Sequence, residues 1–338
     1  MNDRQARQHI VVSIDVDRIR VVAALQRFVR RAQRVGVEGV GMSERATQAA
    51  LAYAKDRIQS TEAGVRGGPR VAIVRHPDIR RMLLLMKSQT EAMRALVSVV
   101  AVWLDAARLH PQEEVREQHQ ALVDLMIPVI KGWCTENSVD IASLGIQVHG
   151  GVGFVEETGA AQYFRDARIT PIYEGTTGIQ ANDLIGRKLA RDGGQTAQAV
   201  IVEMRALIGE LNADRQLSGQ AQALSTAVDA LERAIRYVVE HYATDIRSVS
   251  VGAVPMLKLF GIVAGGWQLL RSALISQRRV AEFETKDAKS AANGAEAGFY
   301  RAKIATARFY ADHVLSQAPG LAHSIIQGAA GALAEGVL

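Results

Sequence analysis

The stretch Gln147-Val148-His149-Gly150-Gly151-Val152-Gly153-Phe154, followed by Phe164-Arg165-Asp166-Ala167-Arg168-Ile169-Thr170-Pro171-Ile172-Tyr173-Glu174-Gly175-Thr176-Thr177-Gly178-Ile179-Gln180, interrupts a chain otherwise patterned for helices. Gly150, Gly151 and Gly153 lie just past a helical pattern, where glycine admits positive φ and leaves backbone N–H groups uncovered. Such groups can meet an anion or the polar edge of a ring. No Gly-Lys-Ser/Thr follows, so the segment is not a P-loop. A helix rather than a strand precedes it, so it is not a dinucleotide fingerprint. By themselves, clustered glycines most often mark a tight turn.

Glu174 falls in a loop immediately before a helix. Gly175 removes bulk beside the carboxylate, so a substrate could come close to the backbone. A carboxylate held between Tyr173 and a ligand would lose water, and its pKa would rise toward that of a general base working near neutral pH. The commoner reading of a lone glutamate here is an exposed side chain favoured by the helix dipole.

On both sides of this stretch the apolar spacing is helical. Gly36, Gly39 and Gly41 are expected to precede a helix over Met42–Gln59, and a Gly-rich loop spans Gly64–Pro69. A long helix follows from Pro77, which suits a first helical turn, to Leu109. The next, Gln112–Ala142, carries Pro128 as an expected kink. The segment from Gly145 to Thr177 reads as irregular, and a helix restarts near Gly178 and ends by Gly193-Gly194. The remaining helices are expected over Thr196–Asn212, Gly219–Ala243, Val254–Gln277 and Ala288–Gln317, with a short one after Gly320. Strands are nearly absent, so the fold class is all-α, and the lengths suit a helical bundle with short connections.

The grouped residues resemble a known family. Gln147-x-x-Gly150-Gly151-x-Gly153, then Arg165-Asp166-Ala167-Arg168-Ile169, then Ile172-Tyr173-Glu174-Gly175-Thr176, then Gln180, together resemble the carboxy-terminal signature of acyl-CoA dehydrogenases. The resemblance implies a four-helix bundle over residues 35–192. It also implies an additional helical domain over 196–338, as in the subgroup that includes long-chain and 3-methylmercaptopropionyl-CoA dehydrogenases; Phe309 to Leu315 is typical of its last long helix. Glu174 would be the base that removes the proton α to the thioester while hydride leaves the β carbon for FAD, giving a trans-2-enoyl-CoA. Gln147, Gly150 and Gly151 would meet the FAD of a neighbouring subunit, with Arg57 on its diphosphate. Thr176 and Gln180 would meet the FAD of their own subunit. Tyr173 and Gly175 would border the acyl-CoA, and Arg165 and Asp166 would be structural ion-pair residues. The expected partners are an electron-transfer flavoprotein and further copies of the chain, as a homodimer or homotetramer.

Two departures accompany the resemblance. The resemblance implies that family members begin with a helical and a β-barrel domain, and this sequence is expected to lack both. Residues 1–34 form an atypical segment with eight arginines, an apolar run at Ile10–Ile14 that could be a strand, and a possible helix over Val21–Val29. Translation from a displaced frame or a misplaced start is one hypothesis for this segment. A separate chain supplying the missing half is the other, and resequencing the upstream region would separate them. The activity is thus expected to be that of a truncated or partner-requiring chain. The alternatives are a nonenzymatic helical remnant or assembly module, a DNA-binding dehydrogenase-like protein, or an acyl-CoA oxidase.

The bulk properties narrow these options. With 338 residues, 48% hydrophobic and 22% charged, the chain can bury a large core. The net charge of +5 suits nucleic acid, anionic lipid or an anionic cofactor, and equally a solvated arginine-rich surface. Nucleic acid is not the expected partner. The single cysteine, Cys134, rules out an internal disulfide framework and points to a cytoplasmic setting. No apolar run reaches the ~18 residues of a membrane span. The eight histidines show no paired ligand spacing, so no metal is expected.

Overall fold

Gly36 and Gly39 lie inside a helix. In the computed structural model, which describes residues 32–285 and 291–336, α1 spans Ala32–Asp56 and so begins well before Met42. The reason is close packing. A Cβ on Gly36 would sit 2.6 Å from the Ile130 side chain, and one on Gly39 would sit 2.8 Å from the Cys134 carbonyl. These glycines bring α1 against the backbone of α3 (Glu113–His149), with the close backbone approach that only glycine permits.

The two helices run parallel. Gly36 faces Ile130, Gly39 faces Cys134, Ala46 faces Gly145, and Tyr53 stacks on His149. Between them in sequence, α1 ends at Asp56 rather than Gln59. A two-stranded antiparallel ribbon, β1 (Ile58–Thr61) and β2 (Arg70–Ala72), then turns the chain back. Helix α2 (Pro77–Leu109) returns antiparallel to α1, with Arg94 paired to Glu44 at 2.7 Å. Its buried stripe is Met82, Met86, Met93, Leu96, Val100 and Leu104, a helical spacing. Burying each such side chain contributes about 1.5–3 kcal/mol.

Helix α3 continues past Ala142 to His149, and Pro128 is carried inside it. The segment expected to be irregular contains a further helix, α4 (Ala160–Ile169), which packs on α3 and α1. After α5 (Thr177–Asn182) the chain passes through a π-helical segment, Asp183–Ala190, to Gly193 and Gly194. The longer helices of the rest are α6 (Gln195–Ala213), α7 (Ser218–His241), α8 (Ile246–Val251), α9 (Ala253–Thr285), α10 (Ala291–His313) and α11 (Ala318–Gln327), with short helical turns at Leu315–Gln317 and Ala329–Ala332. Helices α9 and α10 together replace the helices expected over Val254–Gln277 and Ala288–Gln317. The strand and helix expected at Ile10–Ile14 and Val21–Val29 lie outside the described residues.

One core runs through both regions. Helix α9 lies against α2, α3 and α5 as well as α7, α10 and α11. Gly261 and Gly265, one turn apart, form a flat bed for the Trp133 indole: an added Cβ would lie 2.2 Å and 2.6 Å from its ring atoms. Helix α9 is long and apolar enough to cross a membrane, but 83% of its apolar window is buried inside this fold. That is the character of a central core helix.

Candidate active site

The loop between α4 and α5 holds Glu174 in an unusual pose. Glu174 has φ +53° and Gly175 φ +92°. Positive φ is uncommon for a side chain other than glycine, costs about 1–3 kcal/mol, and concentrates at functional sites. The surroundings over-determine it. Lys131 Nζ donates to the Thr170 carbonyl at 3.0 Å and to the Gly175 carbonyl at 2.6 Å. The Thr177 N–H donates to the Pro171 carbonyl at 3.0 Å, and the Thr177 hydroxyl donates to Glu136. Thr176 caps α5 by accepting the Ile179 N–H at 3.4 Å, and Gln180 is buried with Nε2 close to Gly175. Glu174 itself is exposed and, among the described residues, has no ion pair.

The Tyr173 hydroxyl donates to Glu38 on α1, so the ring is tethered by its tip. Burial pushes the phenol up to about 12, helped by the hydrogen bond to Glu38 and by the charges of Glu38 and Glu174.

The other expected site residues gather at the far end of α1 and α3. Arg57 follows the last turn of α1, its N–H donating to Tyr53 at 2.9 Å. Gln147 lies exposed on the last turn of α3. Gly150 ends that helix with φ +67°, and an added Cβ on Gly150 or Gly151 would meet nothing within 4 Å. The Tyr53–His149 stack, with centroids 4.5 Å apart, joins the Arg57 end to the Gln147–Gly151 end. His149 Nδ1 lies 2.7 Å from the Gly145 carbonyl and so carries the proton there. Lys131 and Gln147 are separated by roughly 24 Å of helix, at 1.5 Å per residue. One protomer therefore does not bring Arg57, Gln147, Gly150 and Gly151 together with Glu174, Gly175, Thr176 and Gln180.

Arg165 and Asp166 do not pair with each other. Arg165 pairs with Glu156 at 3.3 Å, and Asp166 accepts from Gln162 at 2.5 Å. Cys134 is fully buried, its thiol pushed up by desolvation, as expected of a packed residue. Glu38, Lys131 and Glu136 were not singled out from the sequence. The signal for Lys131 was present: one cation inside Val129-Ile130-Lys131-Gly132-Trp133-Cys134. Two grooves, of about 240 Å³ between α1 and α2 and about 350 Å³ among α2, α3 and α9, do not include Glu174 among their walls.

Comparison with known proteins separates the possible assignments for this geometry. Residues 21–189 match the family described as acyl-CoA dehydrogenase, C-terminal domain, a span that contains every site residue named above. The chain belongs to the acyl-CoA dehydrogenase family. Residues 200–334 match a second family, acetyl-CoA dehydrogenase C-terminal like. The chain is 46% identical over 282 residues to the 3-methylmercaptopropionyl-CoA dehydrogenase of Ruegeria pomeroyi, covering 83% of this chain and 46% of that one. It is 33% identical to the broad-specificity linear acyl-CoA dehydrogenase FadE5 of Mycobacterium tuberculosis, with 83% and 46% covered. This acyl-CoA dehydrogenase chain thus spans a little under half the length of the curated relatives it matches. An acyl-CoA dehydrogenase from Bacillus anthracis, solved in complex with FAD, shares the fold with a TM-score of 0.65 at 19% identity, over 88% of this chain and 48% of that one.

Proposed function

We propose that this chain is the base-bearing carboxy-terminal half of an FAD-dependent dehydrogenase that converts an acyl-CoA thioester to a trans-2-enoyl-CoA. The observation that carries this reading is the pose of Glu174: an exposed carboxylate at positive φ, pinned by buried contacts at the head of α5. The proposal is that its carboxylate takes the α proton, with Gly175 leaving room for the thioester.

The residues fit an anionic, flat-ringed cofactor. Arg57 is exposed and, among the described residues, has no carboxylate partner. Gly150 and Gly151 present bare backbone to open space, which a ring edge or phosphate can approach. Arg57, Gln147, Gly150 and Gly151 would hold FAD from one subunit, and Thr176 and Gln180 from another. Bound there, FAD would accept the β hydride. The separation of the two groups along α3 supports a shared site, hence a homodimer or homotetramer, with an electron-transfer flavoprotein as the onward acceptor. The proposal includes a second polypeptide region that carries the remainder of the acyl-CoA site. The second reading is a helical assembly module without turnover.

The visible spectrum of the purified chain with excess FAD, alone and with the amino-terminal half of a relative, decides between them. Bound flavin that is bleached by an acyl-CoA, and is not bleached after Glu174→Gln, is the expected result. A folded chain that binds no flavin in either mixture would reject the enzymatic reading.

A further inference from the structure

Lys131 is the one lysine of the buried core among the described residues, with no exposed surface at all. Burying a cation is costly unless partners compensate it. Its hydrogen-bond partners are unusual. Both are backbone carbonyls, Thr170 and Gly175, and both belong to the loop that carries Glu174. Among the described residues, no carboxylate hydrogen-bonds to it. A methionine or leucine would fill the same apolar position on α3, between Ile130 and Gly132, without the desolvation cost.

We infer that Lys131 is the positioning residue of this site: it ties the Glu174 loop to α3 through the Thr170 and Gly175 carbonyls, and so fixes the backbone pose of Glu174. This rests on the reading of Glu174 as the base. One effect follows from the geometry. Because the peptide is planar and trans, drawing the Gly175 carbonyl inward toward Nζ fixes the Gly175–Thr176 peptide plane and turns the Thr176 N–H to the opposite side. The ionisable groups that act on it are Glu136 on its own helix and Glu174 in the loop. Burial pulls the Lys131 ammonium down from its usual value, and the charges of Glu136 and Glu174 push it back up.

The test uses the full chain and needs neither flavin nor turnover. In Lys131→Met, amide exchange at Glu174–Thr177 is expected to accelerate at least tenfold, and Lys131→Arg to restore slow exchange. Should Lys131→Met not fold, the reciprocal measurement keeps Lys131 in place. The Lys131 side-chain nitrogen, followed by 15N NMR, should titrate lower in Glu174→Gln than in the wild type, and Glu174 is exposed enough for that variant to fold. Unchanged exchange over Glu174–Thr177 in a folded Lys131→Met, or an unchanged Lys131 titration in Glu174→Gln, overturns the inference. Failure of flavin reduction would instead strike the functional reading and leave both measurements as they are.

Discussion

Tyr53 on α1 stacks on His149 at the end of α3, with ring centroids 4.5 Å apart and planes inclined by 26°. This contact joins the end of α1 that leads to Arg57 to the turn that presents Gln147, Gly150 and Gly151. His149 is nearly buried, and its Nδ1 proton is committed to the Gly145 carbonyl, so the ring cannot turn to seek another partner. An aromatic pair of this kind is worth about 0.5–1.5 kcal/mol beyond its buried area. Tyr53→Ala is expected to lower stability by about 1–2 kcal/mol, and Tyr53→Phe by much less, in urea denaturation. Amide exchange should rise selectively over Gln147–Gly153. An exchange increase spread evenly over α1 and α3 would show that the stack has no special hold on that turn.

The glycines of α9 give a prediction with an internal control. A Cβ on Gly261 would lie 2.2 Å from the Trp133 ring, whereas one on Gly41, exposed on α1, would meet nothing within 4 Å. Gly261→Ala overpacks the contact between α9 and α3 and is expected to cost at least 1–3 kcal/mol. Gly41→Ala should stabilise by up to ~1 kcal/mol, the difference in helix propensity. Equal effects of the two substitutions in thermal denaturation would mean that Trp133 does not sit on the Gly261–Gly265 bed.

The contrast between Gly36 and Gly150 shows what the sequence could and could not disclose. Gly36, Gly39 and Gly41 were expected to precede a helix, yet Gly36 and Gly39 lie inside it at a close approach. The approaching group is the α3 backbone, and the helix runs straight through them, because the gain from packing outweighs the propensity cost of glycine. At Gly150 the positive φ anticipated from a helix end is present. The helical fold, the long α2 with Pro77 at its start, and the loop-then-helix setting of Glu174 were all legible from period and punctuation. The supports of the loop were not. Lys131, Glu136 and Glu38 lie far from Glu174 in sequence, and only the packing of α1, α3 and α4 brings them together. The division into regions 35–192 and 196–338 follows the motifs. The slot for Trp133 on α9, which makes one core of both, is a pairwise fit that no single-helix pattern encodes.

Glu91 on α2 links the two regions electrostatically. It accepts from Lys87 on its own helix and from Lys303 on α10, the latter at 2.9 Å, and its side chain is 13% exposed. Burial alone would raise its pKa, but the hydrogen bonds and charges of the two lysines prevail and hold it below the usual 4.5. A carboxylate depressed in the folded state binds fewer protons there than when unfolded. It therefore contributes stability above pH 4.5 that is lost as pH falls through the folded value. Glu91→Gln should cost about 1–3 kcal/mol at pH 7, since two partly buried lysines lose their counter-charge. The penalty should shrink as the pH drops below 4.5. A penalty independent of pH between 7 and 3 would mean that the amide is merely a poorer fit.

The Tyr173–Glu38 tether makes its own claim about the loop. The phenol is pushed up to about 12 by burial first, then by its hydrogen bond to Glu38, with the charges of Glu38 and Glu174 adding to both. All these causes disfavour the phenolate, so the sign is the same whichever is removed: the value should fall toward 10, the ordinary one for tyrosine. With 13Cζ-labelled tyrosine, the Tyr173 signal, assigned through Tyr173→Phe, should begin to shift only near the upper end of the alkaline range. In Glu38→Gln it should begin at clearly lower pH, because the amide still accepts the hydroxyl proton but carries no charge. Glu174→Gln should bring a smaller displacement in the same direction, since Glu174 acts on Tyr173 through charge alone. A Tyr173 that already titrates near 10 in the wild type would mean that its hydroxyl is not held by Glu38 in solution. The loop would then lack its anchor to α1, and Glu174 would depend on the contacts from α3 for its pose.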